Sequence, residues 1–367
     1  MTPRTAQARR ILFVDHSAQL GDIEMALLDI AVGHRDRGAV ALFEDGPFAA
    51  ALVARNVAVL PIDVGRAARY ALKTGRGSAL ASARVALSLS RIARAFGVLY
   101  ANSPSAFLVS VAAGLVARRP VIWQLRDKLA APQFTALHVR ALVVCANMRA
   151  VRVVASSEDV ADAFVSVGGR RAKVNVIHEG VDVARFGRVG PDARASMRRT
   201  LEISEHAYVV GTFGASSGVE RRVLKEALSE LSGVHVIDMD AVIDTYADFP
   251  RFIAACDVVV HSGGLTAAAV RAMMAVLVSR RPLVVTDAPE VREIVEDGVT
   301  GIVVAPGDAG ALAAAIRGLR DEPIRSDELA FAGAADAHRR FGSETMNASI
   351  TRLVDDVLTG MRPAPEA

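Results

Sequence analysis

The stretch Arg281 to Asp308, RPLVVTDAPEVREIVEDGVTGIVVAPGD, decides the fold. Leu283, Val284 and Val285 form a short apolar run of the kind a strand covered on both faces needs. Asp287, Ala288 and Pro289 end that strand and open a short acidic helix, with Pro289 in a first turn, where a proline is tolerated. Gly298 and Gly301 bracket a second turn, and Ile302 to Val304 return as strand.

Working outward, the same alternation fills the chain. Ile11 to Val14 reads as a strand ending at Asp15, and Gly21 precedes a helix from Glu24 to Asp36. Strands follow at Val40–Phe43, Val57–Pro61, Val98–Tyr100, Val121–Trp123, Val151–Ala155 and Val174–His178, with helices at Pro47–Arg55, Arg84–Phe96 and from Pro104 to Leu115. Ser156-Ser157 is a good helix cap. The polar stretch Gly187 to Arg199 separates two halves, after which the pattern restarts at Tyr208–Phe213. Such βαβα order predicts an α/β protein with mostly parallel sheets covered on both faces.

A chain of 367 residues holds two ordinary domains. Cys145 and Cys256 make neither a disulfide framework nor a zinc site, so a reducing cytosol is the expected compartment. The basic N-terminus carries too short an apolar run for a signal peptide or a membrane span. Charge is uneven. Residues 1–186 hold 24 Lys and Arg against 14 Asp and Glu, and the remainder hold 19 against 26. Between Asp63 and Asp127 there is no carboxylate but ten basic residues, most of them in Arg66–Arg94. Such a segment attracts phosphate groups, on lipid, nucleic acid or a charged acceptor, with a solvated helix face of arginines over an apolar base as the competing reading. It has few stacking aromatics and no recognised nucleic-acid motif, so no nucleic-acid partner is expected.

Several blocks, in order, resemble family 4 of the retaining GT-B-fold glycosyltransferases (glycosyl transferases group 1). They are LGDIEMALLDIA (20–31), LFEDGPFAAAL (42–52), YANSPSAFLVSVAAGLVARRPVIWQLRD (100–127), VIHEGVDVARF (176–186), ACDVVVHS (255–262) and the segment quoted first. The resemblance implies two Rossmann-like domains facing a central cleft: an acceptor-side domain over 1–186 and a nucleotide-sugar donor domain over 187–342. A C-terminal helix within 343–367 would cross back to the first domain and end in a tail. The implied reaction moves a sugar, with retention, from a nucleotide-diphosphate sugar to a glycan or lipid-linked acceptor in envelope or polysaccharide synthesis. It requires no cofactor and no metal. Location would be cytoplasmic, peripheral at the inner face of the membrane, with Arg66–Arg94 meeting an anionic surface.

The chain departs from that family in four places. Two glutamates eight positions apart normally hold donor hydroxyls, and here Gly263 and Arg271 stand in their places. After YVVGTFG the family's arginine and lysine are out of register, in ASSGVERR. Only 45 residues separate Gly211 from Asp257, so the second domain reads as short by about one strand–helix unit. Gly21-Asp22 stands where a double glycine is usual.

Candidate donor-binding residues are Gly21, Ser262, Gly263, Gly264 and Thr266, because backbone N–H groups at an unobstructed helix start bind anions, with a tight turn that needs small residues as the competing reading of 262–266. Arg221 and Arg222 are candidate displaced cations, with a solvated helix face as the competing reading. Arg126, at a strand end, is the candidate catalytic residue, against an ion pair with Asp127 or another strand. His16 and Asp127 are placed on the acceptor side. The carboxylates show no metal-ligand spacing, and no nucleophile triad is legible. The missing glutamates leave a second function open: a non-catalytic GT-B chain that binds a partner or a glycan.

Overall fold

The computed structural model describes residues 11–62, 79–130, 134–187, 190–215, 217–242 and 249–360. The chain divides into two compact units: one runs to Glu179 and resumes at Ser343, the other spans Gly180–Gly342.

The first unit is a seven-stranded parallel sheet: β1 (Ile11–Asp15), β2 (Gly38–Leu42), β3 (Ala58–Pro61), β4 (Val98–Ala101), β5 (Val121–Leu125), β6 (Ala150–Ala155) and β7 (Val174–Val176). Their spatial order is 3-2-1-4-5-6-7. The order reverses between β1 and β4, which pair directly. Strands β1, β4 and β5 are buried along their whole length, as a sheet covered on both faces requires. The edge strand β3 is short, half exposed and ends in Pro61, features that blunt an edge. The covering helices are α1 (Asp22–Gly33), α2 (Pro47–Ala54), α3 (Ala79–Ala93), α4 (Pro104–Ala117), α5 (Ala136–Arg149) and α6 (Glu158–Ser166). Trp123 is fully buried between Phe107, stacked at 4.4 Å and 7°, and Phe164, edge-on at 6.1 Å. Such offset and edge contacts add to the burial of aromatic area.

The second unit contains α7 (Val183–Gly187), α8 (Pro191–Thr200), β8 (Tyr208–Phe213), α9 (Gly218–Ser229), β9 (Val234–Asp238), α10 (Met239–Val242), α11 (Phe249–Ala255), β10 (Val258–His261), α12 (Ala267–Val278), β11 (Leu283–Thr286), α13 (Pro289–Arg292), β12 (Ile302–Val304), α14 (Ala309–Asp321) and α15 (Pro323–Phe341). Its five strands are parallel in the order β12-β11-β10-β8-β9, so its switch point lies between β8 and β10. Asp257 fastens the amino ends of β8 and β10. It accepts from Val209 N at 2.7 Å, Arg194 Nη2 at 2.5 Å and Arg198 Nη2 at 2.8 Å. Arg198 is buried and also donates to the carbonyls of Ala255, Glu205 and Ala207. A buried guanidinium is tolerable because its donors are met.

The last helix, α16 (Ser343–Thr359), belongs to the first unit, where it packs on α1. His34 Nε2 meets Thr351 Oγ1 at 3.0 Å, and Arg37 pairs with Asp355 at 2.5 Å.

Among the described residues, five helices lie where the sequence reading placed none: the short α7 and α10, and α5, α8 and α15. Within Gly187–Arg199, read as a polar separator, residues from Pro191 onward form α8, whose Arg194 and Arg198 turn inward to backbone carbonyls and Asp257. Helix α5 is apolar nearly all round, so it shows no helical period. Helix α15 covers α12 with small residues such as Gly333, against which a Cβ would strike Thr300 O at 2.6 Å.

The turns into β5 and β11 are built alike. Ala117-Arg118-Arg119-Pro120 and Ser279-Arg280-Arg281-Pro282 each hold the first arginine in the left-handed region, at φ 55° and 53°. That conformation costs an L residue roughly 1–2 kcal/mol. The second arginine reaches the carbonyl end of a neighbouring helix: Arg119 Nη2 donates to Arg94 O at 2.9 Å, and Arg281 donates to Ile253 O and Ala254 O at 3.3 Å. Cations are favoured there by the helix dipole.

Truncating the ring at the centre of the first core, Trp123→Ala, is expected to destabilise that unit by about 3–5 kcal/mol in urea unfolding. A loss under about 1 kcal/mol would show that the Phe107–Trp123–Phe164 cluster is not central.

Candidate functional site

Open parallel sheets gather ligands beyond the carboxyl ends of their strands, at the point where strand order reverses. Each unit has one such point.

In the first unit the chain leaves β1 through Asp15 and His16, and β4 through Asn102 and Ser103. Asp15 is fully buried and accepts from Asn102 Nδ2 and, at 2.6 Å, from His16 N. His16 Nδ1 lies 3.0 Å from Asp15 Oδ1 and 2.8 Å from Ser103 Oγ. Serine, histidine and aspartate thus meet, but both partners address the same ring nitrogen. A nucleophile relay uses the two nitrogens separately, so this is an orienting cluster rather than a triad. Burial alone lowers the His16 pKa. The hydrogen bond and charge of Asp15, joined by Glu24 and Glu44, outweigh that and hold it above its ordinary value.

Arg126 follows β5 and is buried. Its partner is Glu179 rather than Asp127: Nε donates to Glu179 Oε1 at 2.6 Å, and Nη1 donates to Asn102 O at 2.9 Å. Arg126 Nη2 is buried with no hydrogen-bond partner among the described residues. Asp127 is half buried. Burial chiefly, with the Glu179 charge, pushes its carboxyl up despite Arg126. Gly21 caps α1, and its N–H already donates to Glu24 Oε2 at 3.2 Å. Burial, then the Asp15 charge, raises the Glu24 carboxyl.

The second unit brings Ser262, Gly263, Gly264 and Thr266 into one turn between β10 and α12. Thr266 caps α12, accepting from Ala269 N at 3.1 Å. The turn lies against the loop after β8. A Cβ on Gly263 would sit 1.5 Å from Gly214 O, and one on Gly214 would sit 2.5 Å from His261 Nε2. Gly214 also has φ 81° and donates its N–H to Asp240 Oδ2 at 2.7 Å. No side chain fits at position 263, so a carboxylate there would force the two loops apart. Arg271 is buried on α12 and donates to Gly180 O at 3.1 Å. Both positions where glutamates are usual therefore carry packing roles here.

His261 and Ser262 are buried; among the described residues neither ring nitrogen nor Ser262 Oγ meets a partner in full hydrogen-bond geometry, and the backbone of Gly264 stands close to the His261 ring. Burial pushes the His261 pKa down to about 4, against smaller opposing effects of the Glu220 charge and the Gly264 backbone. The ring is therefore neutral near pH 7, with one donor and one acceptor nitrogen. Arg221 and Arg222 are exposed on α9. Among the described residues, no hydrogen bond or ion pair ties either side chain to the Ser262–Thr266 turn. The same residues contain no group of three or more potential metal ligands, and no helix long and apolar enough to cross a membrane.

Sequence reasoning did not single out Asp15, Glu24, Asn102, Ser103 or His261 as site residues, and gave Glu179 only a linker role. Their one signal was position: each except Glu24 and Glu179 ends or directly follows a strand flanking a switch point.

Two tests follow. Gly263→Ala is expected to cost stability at or beyond the upper end of the ~1–3 kcal/mol of overpacked sites; a neutral change would show that the loops part easily. His261 has a folded pKa below its unfolded value of 6.5. Its contribution to stability is therefore full above pH 6.5 and is lost as pH falls through about 4. The loss amounts to about 3 kcal/mol. Urea unfolding from pH 7 to 4 should show a steeper decline in the native protein than in His261→Asn; parallel declines would refute the assignment.

Residues 195–322 match the family model for glycosyl transferases group 1. The chain is 27% identical to Anabaena Alr3699/HepE, solved with UDP-glucose, over 95% of this chain and 99% of that one, with a TM-score of 0.79. The same protein solved with UDP and glucose gives 0.80, at the same identity and coverage. A glycosyltransferase from Rickettsia africae is 14% identical with a TM-score of 0.79, covering 95% and 98% of the two chains, and speaks to the fold alone. No curated protein is similar enough in sequence to count as a relative. With its two parallel α/β units and this match, the chain has the GT-B fold of glycosyltransferases, and its second unit carries a glycosyl transferases group 1 domain.

Proposed function

We propose that this protein transfers a sugar from a UDP-sugar, with retention, to a glycan or lipid-linked acceptor in envelope or polysaccharide synthesis, as a divergent member of family 4. The observation that carries the reading is the polar set at the second unit's switch point: Ser262 Oγ, buried without a hydrogen-bond partner among the described residues, and the neutral His261 ring beside it. Buried polar groups need partners. A phosphate there would accept hydrogen bonds, and a sugar hydroxyl would both donate and accept them. Uridine is named because Anabaena HepE, 27% identical over nearly its full length, was solved with UDP-glucose.

Catalysis is proposed to rest on positioning and on stabilising charge as it develops on the leaving diphosphate, without a metal ion. Gly21, Gly264 and Thr266 remain proposed donor contacts. Arg126, through its unpartnered Nη2, is the proposed catalytic cation, with His16 and Asp127 on the acceptor side. A cytoplasmic location, at the inner face of the membrane, is part of the same proposal. Much of Arg66–Arg94, read as meeting an anionic surface, lies outside the described residues.

A second reading is favoured by one feature, the reuse of positions 263 and 271 in packing. It is a GT-B chain that binds a nucleotide sugar or a glycan without turnover.

Calorimetric titration with UDP and UDP-glucose tests the first reading. Saturable binding is expected, weakened about three- to tenfold in Ser262→Ala, the range of one hydrogen bond. No binding of any uridine nucleotide would sink the donor assignment. Binding without UDP release in the presence of acceptors would select the second reading.

A further inference from the structure

The second unit holds an open cavity of about 470 Å³ at the amino ends of its strands. Tyr208 opens β8, and Asp257 and Pro282 directly precede β10 and β11. The Ser262–Thr266 turn lies past the other end of β10, roughly 13 Å off at ~3.3 Å per strand residue. Arg194, Arg280, Arg281 and Arg320 line the cavity, against two carboxylates, Asp257 and Asp327. Asp257 is already shared between Arg194, at 2.5 Å, and the buried Arg198, at 2.8 Å. Arg320 pairs with Asp321 at 3.0 Å. Arg280 and Arg281 have no carboxylate partner among the described residues: Arg280 lies over the Phe331 ring, and Arg281 donates to carbonyls. Burial, then the Arg194 charge, holds the Arg281 pKa below its ordinary value.

Part of this cluster has a structural task. Arg194, Arg198 and Arg281 donate to the carbonyls of Ala254, Ala255 and Cys256, at the carboxyl end of α11. Capping accounts for the donors but not for the surplus charge, because a carbonyl bonds an N–H without neutralising it. Tyr208 is an independent sign of a ligand. Its hydroxyl is buried in the cavity wall with no hydrogen-bond partner among the described residues. Burial, then the Asp257 charge, raises its pKa, so it stays protonated and able to donate. A buried hydroxyl calls for a partner. Ser326 and Asp327, also in the lining, offer further polar contacts.

We infer that this cavity is a second ligand site, which takes a phosphate monoester bearing hydroxyl groups, of the sugar-phosphate class. Its phosphate accepts from Tyr208 Oη and from the guanidinium groups, whose forked donors match phosphate oxygens. Its hydroxyls meet Ser326 and Asp327. A free phosphate uses the arginines equally well but leaves Ser326 and Asp327 to water and fills little of a cavity this large. A cation is turned away by the surplus of arginines. The site is distinct from the donor turn, at the opposite end of the same sheet, and the inference does not depend on the donor-site reading.

The full chain should be titrated by calorimetry, in a phosphate-free buffer, with glucose 6-phosphate and with inorganic phosphate. Saturable binding of the ester is expected, tighter than that of phosphate and weaker as salt rises. Tyr208→Phe removes only a hydroxyl without a partner. It should keep the native urea midpoint and weaken binding about tenfold or more, the range of one hydrogen bond to a charged group. R280Q/R320Q should weaken it further; if that variant loses stability, Tyr208→Phe decides. Ser262→Ala should bind the ester like the native chain, and saturating UDP should not displace it. No binding of the ester, equal affinity for phosphate and ester, an unchanged affinity in Tyr208→Phe, or displacement by UDP would each overturn the inference. UDP titration of the same preparations keeps its failure separate from that of the donor site.

Discussion

A parallel sheet covered on both faces uses its strands up in packing, and that constraint governs the rest of this molecule. The residues of β1, β4 and β5 are buried end to end, so the strand interiors have no surface to offer a ligand. Polar function is pushed to where strands stop. In the first unit this gathers Asp15, His16, Asn102, Ser103, Arg126 and Glu179 from four strand ends. In the second it sets the β8 and β10 loops against each other, so closely that Gly263 and Gly214 leave no space for a side chain.

That second contact explains a departure from the family resemblance. A carboxylate at position 263 is excluded by the Gly214 carbonyl, and at position 271 a guanidinium is committed to the Gly180 carbonyl. The β10–α12 turn is closed by packing at position 263, and α12 is tied down at position 271. The site's remaining polar groups, His261 and Ser262, are neutral hydrogen-bonders, whereas the usual pair are anions. A neutral site would hold sugar or phosphate through dipoles, which are weaker singly but avoid repelling a diphosphate.

Much of the architecture was legible because short apolar runs bounded by Gly, Pro, Asp or Ser mark buried strands, and the loops they end in mark the site. What stayed hidden had physical causes. Helix α5 exposes Leu137, Val144 and Met148 while burying Leu142, Val143 and Ala146, so it carries no periodic contrast. The Arg126–Glu179 and Asp15–Asn102 contacts join residues 53 and 87 positions apart, and no local pattern announces them. Gly263 reads as an ordinary turn glycine until the approach of Gly214 is seen.

The paired arginine turns before β5 and β11 bear on where this chain can be opened. An exposed helix-to-strand turn is normally a good place to cut, circularly permute or insert a domain. Here each turn is also a fastener. Its first arginine is held in a conformation it disfavours, and its second ties down the end of another helix. Breaking the backbone at Arg118–Arg119 or Arg280–Arg281 would free a strained residue but release the neighbouring helix end as well. These two exposed corners are therefore poor choices for new termini, and the chain is better opened elsewhere.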